Sequence, residues 1–281
     1  MRLVDDRPIL EVRGVSLAYS SGKLFSRRNE RALAVDDVSL VIRRGEALGI
    51  VGESGSGKSS LAKIITGLVP PDTGSVIFDG TDLLRTKGAA RRKLGRRLQM
   101  VFQDPYSSLN PTMTLQQLVT EPLVIHGLAH GAEELERRCV EILEQVSIDP
   151  GWRRRYPGAL SGGQRQRIAI ARALASSPDL IVCDEPVSAL DASIRAQVLN
   201  VLVDLQRDHG VGTLFIAHDL AIVRHVCDRV AVMHKGRIVE VVAAADIPDK
   251  VQHPYTKALL AANPSPLRAA DPPGGEGRRL S

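Results

Sequence analysis

The sequence predicts an α/β fold built on a parallel sheet, and three observations carry that expectation. Short apolar runs of strand character, "ALGIVG" from Ala47, "DLIVCDEP" and "TLFIAHD", are separated by stretches of helical periodicity. Such runs are apolar throughout rather than alternating, as strands covered on both faces must be. The first opens directly into a glycine-rich loop and then a helix, a strand, loop and helix unit of the kind that builds parallel sheets.

The elements follow in order. Residues 9 to 50 alternate β-like runs with turns, "ILEVRGVSLAY" and "ALAVDDVSLVIRRGE", the pattern of half-buried antiparallel hairpins. The basic, Ser-rich segment between them, Ser20 to Arg31, reads as a surface loop. Beyond the glycine-rich loop, Leu61, Ile64, Ile65 and Leu68 repeat at helical spacing, with Gly67 near the end and Pro70-Pro71 blocking continuation. From about Leu83 to Ala175 the chain turns basic and amphipathic, as in "GAEELERRCVEILEQVSI", which places Leu135, Val140, Ile142 and Leu143 among charges. A helical insertion is expected there. A buried strand, a helix with Ile194, Val198, Val201, Leu202 and Leu205 on one face, a second strand and a hairpin turning at Lys235-Gly236 come next. The end, "LRAADPPGGEGRRLS", is rich in Pro, Gly and charge and reads as a disordered tail over 263–281. One folded domain over 8–262 is therefore expected.

The totals bound the class. At 281 residues and 43% apolar composition the chain supports a sizeable core. Its three cysteines, Cys139, Cys183 and Cys227, stand far apart, which suggests neither a zinc site nor a disulfide framework and fits a reducing cytosol. The first ten residues lack the apolar core of a signal peptide, and no window approaches a membrane span. A net charge of +5 permits nucleic acid, an acidic membrane surface or mere solubility, and ranks none of them.

The chemistry begins at "GESGSGKS". Gly52, Glu53, Ser54, Gly55, Ser56, Gly57, Lys58 and Ser59 match the phosphate-binding loop G-x-x-x-x-G-K-[ST] in its proper context, with Ser60 continuing into the helix. The glycines let the backbone wrap phosphates, and amide groups and the positive helix end face the anion. Lys58 reaches the β- and γ-phosphates, and the Ser59 hydroxyl suits Mg²⁺. Asp184 and Glu185 end a buried strand, where ligands of open α/β sheets bind. Asp184 suits the Mg²⁺ shell, and Glu185 suits orienting or deprotonating water. His218 ends the neighbouring strand, on the γ-phosphate side. A second glycine-bearing helix start, "LSGGQRQRIAIARAL" from Leu160, resembles an anion site in its own right.

Together, the phosphate loop, "LSGGQ" and "DEP", in this order and spacing, resemble the ATP-binding domain of the ABC (ATP-binding cassette) superfamily over nearly the whole chain. The resemblance implies a P-loop NTPase core of the RecA-like type, with an antiparallel β subdomain and an inserted α-helical subdomain. It implies ATP and Mg²⁺ as ligands. Ser161, Gly162, Gly163 and Gln164 then belong to the signature sequence, Gln103 in "MVFQDPYSSLNP" to the Q-loop as a Mg²⁺ and water contact, and Asp191 in "SALD" to the D-loop. His218 becomes the switch histidine. Tyr19 stands where the family stacks an aromatic ring on adenine, a contact worth about 1–3 kcal/mol.

Finer likeness, in "QMVFQDPYSSLNP", "CDEPVSALDASIRAQV" and "HPYTKALLAANP", His253 to Pro264, is to ATP-binding subunits of bacterial oligopeptide and dipeptide importers, a group that includes nickel and other solute importers. The partners so implied are a second ATP-binding subunit, identical or not, transmembrane permease subunits at the cytoplasmic face of the membrane, and an external solute-binding protein. No direct nucleic-acid partner is expected. Two departures stand out. The cysteine cluster of some members has no counterpart after Cys227, and His234-Lys235 occupies a hairpin position where an aromatic-apolar pair is more usual. A soluble nucleic-acid ATPase of the same superfamily has only the basic charge in its favour. A P-loop GTPase would need an N-K-x-D motif that this sequence lacks.

Overall fold

The computed structural model describes residues 8–20 and 31–262. Of the basic segment read as a surface loop, Ser20 and Arg31 end β1 and begin β2, and residues 21–30, like the tail over 263–281, lie outside the described residues. Along the chain come strands β1 (Pro8–Ser20), β2 (Arg31–Arg43) and β3 (Ala47–Val51), helix α1 (Lys58–Ile65), strands β4 (Thr73–Phe78) and β5 (Thr81–Asp82), helix α2 (Gly88–Arg97) and strand β6 (Leu98–Val101). Helices α3 (Pro105–Ser108), α4 (Leu115–Ile125), α5 (Ala132–Gln145) and α6 (Gly162–Leu174) follow. The second half runs β7 (Leu180–Asp184), α7 (Ala192–His209), β8 (Gly212–Ala217), α8 (Leu220–Val226), β9 (Arg229–His234), β10 (Arg237–Ala243) and α9 (Pro254–Ala262).

Two sheets organise these elements. One is antiparallel, in the order β2-β1-β4-β5. The other has the order β10-β9-β3-β8-β7-β6, with only β10 antiparallel to its neighbour. Every residue of β3, β7 and β8 is buried. Alternate residues serve different cores. Leu48, Ile50, Leu180, Val182, Leu214 and Ile216 face the core shared with β1, β2 and α1, while Val51, Ile181, Cys183 and Phe215 face the core shared with α4 to α8. Covering both faces explains why these strands read as continuous apolar runs, since each fully buried Leu or Ile contributes about 1.5–3 kcal/mol. Among the described residues no helix is long and apolar enough to cross a membrane. All three cysteines are buried and outside any disulfide, and burial pushes the Cys139 thiol up to about 11.

Two expectations need correction. The stretch from Leu83 to Ala175 is not helical throughout, because Leu98–Val101 forms β6, paired in parallel with β7 at the sheet edge. Four residues between an arginine-rich helix and a loop give too short a run to show strand periodicity. Leu68 also lies outside α1. The helix ends on Thr66 and Gly67, where φ is +70°, and the Leu68 side chain is 56% exposed.

Candidate functional site

Because β3, β8, β7 and β6 lie side by side and parallel, whatever follows each strand arrives at the same sheet edge. The glycine-rich loop follows β3, His218 follows β8, Asp184 and Glu185 end β7, and Gln103 comes two residues after β6. That edge, outside the carboxyl ends of the strands, is where ligands bind in open α/β sheets.

The loop needs its glycines. Gly57 has φ +105°, and a Cβ there would stand 2.0 Å from the Ala34 carbonyl oxygen. A side chain is thus excluded both by conformation and by space. Helix α1 begins at this glycine with no side chain capping its first amides. Lys58 is 4% exposed and turns its ammonium back into the loop, donating to the carbonyls of Gly52 and Glu53 at 2.8 Å each, with Ser56 Oγ at 3.4 Å. Burial pushes its pKa down, which the charges of Glu185 and Asp184 partly oppose. Ser54 and Gly55 are exposed at the loop's crest. Ser60 Oγ donates to the Tyr19 hydroxyl at 3.4 Å, so Tyr19, 45% exposed, stands beside the start of α1.

The acids sit across from the loop. Ser59 Oγ donates to Asp184 Oδ1 at 3.0 Å. Burial raises the Asp184 carboxyl above its usual range, and the Ser59 hydrogen bond only partly offsets this. A hydroxyl and a carboxylate are hard oxygen donors of the kind that would suit Mg²⁺. Among the described residues no group of three or more His, Cys, Asp or Glu is placed to hold a metal ion. Glu185 Oε2 accepts from Gln103 Nε2 at 3.0 Å and lies 4.0 Å from His218 Nδ1. The backbone of Glu185 is left-handed, at φ +45°. For a residue with a Cβ that is strain, and strain of this kind collects at functional sites.

The signature residues lie elsewhere. Helix α6 packs against α3, α4, α5, α7 and β6. Its first turn is self-capped: Ser161 N–H donates to Gln164 Oε1 at 2.9 Å and Gln164 N–H to Ser161 Oγ at 3.4 Å. Ser161 and Gln164 therefore spend those groups on each other, which leaves Gly162 and Gly163 as the amides without intrahelical acceptors. Gly163 has a packing duty, because a Cβ there would stand 2.0 Å from Ile194 Cγ2. Asp191 starts α7 without a side-chain cap and is exposed.

Sequence reasoning did not reach some of these contacts. Arg165 stacks over Tyr106 with its guanidinium carbon 4.0 Å from the ring centre, and Arg172 donates to the Ser108 carbonyl at 2.7 Å. These two arginines of α6 tie it to the segment that follows Gln103. Their signal was present in "RQRIAIAR", as charges on a helix otherwise burying Ile168, Ala171 and Leu174.

Comparison with known proteins agrees with this picture. The family model described as "ABC transporter" matches residues 35–188. A Brucella ovis protein named for peptide import ATP binding is 48% identical, covering 93% of this chain and 80% of its own length. A Bacillus subtilis protein named for oligopeptide transport ATP binding, YkfD, is 45% identical over 92% of this chain and 77% of its own. Among solved structures, the ATP-binding cassette MJ0796, a dimer in a post-hydrolysis state with ADP and Pi, superposes with a TM-score of 0.74 at 30% identity, covering 84% of this chain and 98% of that one. Motif order, fold and relatives coincide, and the chain belongs to the ABC transporter family as an ATP-binding cassette.

Proposed function

We propose that this chain is the ATP-hydrolysing subunit of a bacterial peptide importer. In this reading it works in a pair of cassettes, held at the cytoplasmic face of the membrane by transmembrane subunits and supplied by an external solute-binding protein. The observation that carries it is the convergence of Lys58, Ser59, Asp184, Glu185 and Gln103 on one sheet edge. Relatives named for peptide and oligopeptide import, together with one from Pectobacterium atrosepticum named for glutathione import at 44% identity, support the substrate class.

Hydrolysis of the β-γ bond proceeds through a loose, highly negative transition state, so positioning and charge do most of the work. Lys58, held by two carbonyls, exchanges them for phosphate oxygens, joined by the uncapped amides at the start of α1. Ser59 and Asp184 hold Mg²⁺, which when bound neutralises charge on the phosphate oxygens. Glu185, its carboxylate fixed by the Gln103 amide, orients the attacking water and takes its proton. His218 stands beside Glu185 on the γ-phosphate side, and Tyr19 lies where it can stack on the base. The far side of the γ-phosphate is closed by Gly162 and Gly163 of a second cassette, with Asp191 in the loop that crosses to it. ATP thus favours the closed pair and hydrolysis releases it.

The test is stimulation of ATP hydrolysis by the chain reconstituted in liposomes with its transmembrane subunits. Peptide-loaded binding protein is expected to raise turnover severalfold. Stimulation only by a nickel-loaded binding protein would move the substrate to the metal branch of the same importers, and co-purification with RNA instead of membranes would overturn the importer reading.

A further inference from the structure

The segment "HPYT" is a subfamily mark in the sequence with no part in the ATP chemistry. In the fold it forms the start of α9, and each residue has a task. His253 Nδ1 accepts the Tyr255 N–H at 3.2 Å, Pro254 opens the helix, and Thr256 is fully buried. Glu240 on β10 fixes the approach by accepting the N–H groups of Gln252 at 2.7 Å and His253 at 3.3 Å.

Tyr255 is thereby aimed at the phosphate loop. Its hydroxyl accepts the Glu53 N–H at 3.1 Å, a contact between residues 202 apart in the chain. Its ring lies on that of His234, centroids 3.9 Å apart and planes tilted by 35°. His234 ends β9, and the turn after it also holds the loop: Gly236 N–H donates to the Ser56 carbonyl at 3.0 Å, and Gly236 in turn accepts Asp36 N–H at 2.9 Å. The Arg237 guanidinium pairs with the Asp36 carboxylate at 2.7 Å. The loop is therefore tied from behind at Glu53 and at Ser56. The Glu53 peptide is fixed at both ends, its N–H by Tyr255 and its carbonyl by Lys58. The unusual His234 finds its reason here, since a histidine keeps a planar ring under Tyr255.

We propose that Tyr255 is a positioning residue for the phosphate loop: resting on His234, it fixes the Glu53 peptide, so that nucleotide affinity depends on the seating of the C-terminal helix. The proposal rests on the reading of residues 52–60 as the phosphate loop. A loop with left-handed glycines has more freedom to lose than an ordinary turn, and outside ties pre-set its shape before ATP arrives.

The experiment compares the full-length wild type with Tyr255→Phe, which keeps the ring on His234 and removes only the hydroxyl, and with Lys58→Ala. ATP affinity, KM and kcat are read together with amide deuterium exchange in peptides covering 50–57 and 254–262. Tyr255→Phe is expected to weaken ATP binding and raise KM by about 3- to 10-fold, the range of one hydrogen bond, with kcat within about twofold. Exchange should quicken in 50–57 and stay at wild-type level in 254–262. Unchanged affinity and unchanged exchange in 50–57 would overturn the proposal. So would faster exchange confined to 254–262, because Tyr255 would then only anchor its own helix. Lys58→Ala separates the two readings. If it loses ATP while Tyr255→Phe is silent, the strut alone fails; if it binds ATP like wild type, the phosphate-loop reading fails and the proposal with it.

Discussion

Helices α1 and α6 both begin at glycine-bearing turns, and they are finished differently. Helix α1 starts at Gly57, in a left-handed conformation, and no side chain caps it. Its first amides are left for a ligand, and the buried Lys58 ammonium is parked on two carbonyls beside them. Helix α6 starts at Ser161 and closes a reciprocal capping box with Gln164. An N-cap of that kind stabilises a helix by about 1 kcal/mol without any ligand. A helix end that depends on an anion suits a site that this chain occupies itself. A self-sufficient end suits presentation to another molecule, since it stays ordered before the partner comes. In the proposed reading, private binding at α1 and shared closure at α6 go with this difference in capping.

Removing the general base, which belongs to neither helix start, gives the largest expected effect. Glu185→Gln leaves every ligand of the phosphates in place, and kcat should fall by about 10²- to 10⁴-fold, as loss of a general base does, while ATP binding persists. Lys58→Ala strikes the private site alone, and ATP affinity should fall by roughly 10- to 100-fold, the value of charge-assisted hydrogen bonds; isothermal titration measures it. Unchanged affinity would remove Lys58 from its role and erase the contrast with α6.

The smallest effect sharpens the account of α6. Gly163→Ala forces a Cβ to 2.0 Å from Ile194 Cγ2, whereas a Cβ on Gly162 meets Leu190 Cδ2 at 3.5 Å, ordinary contact. Overpacking of this kind costs about 1–3 kcal/mol. Thermal unfolding should therefore show Gly163→Ala destabilised, largely restored by Ile194→Ala in the same chain, and Gly162→Ala close to wild type. Equal effects of the two substitutions would mean that neither glycine of the signature is held by packing.

The same contrast explains what could be read in advance. The phosphate loop is contiguous, and its glycines, lysine and serine declare their chemistry at fixed spacing. The buried strands β3, β7 and β8 were legible because both faces are covered, and Asp184, Glu185 and His218 followed from standing at their ends. Strand β6 was not legible, because its four residues sit among arginine-rich helical sequence. Neither was Leu68, whose periodic position falls past the Gly67 turn. The left-handed backbone of Glu185 leaves no trace in residue type, since nothing but the surrounding fold requires it. The hold of Tyr255 on Glu53 spans 202 positions and depends on where β9, β10 and α9 end. The self-capping of α6 is legible as S-x-x-Q, but the glycines between equally fit open amides.

One substitution tests the central claim most directly. Ser161→Arg places a long charged side chain at the exposed start of α6. ATP affinity of the isolated chain and ATP turnover of the assembled transporter are then measured side by side. The expected result is wild-type affinity with turnover lost by at least about two orders of magnitude, since closure over the neighbour's γ-phosphate is blocked. Turnover retained at wild-type level, or affinity lost together with turnover, would contradict a signature helix that serves a second cassette's nucleotide.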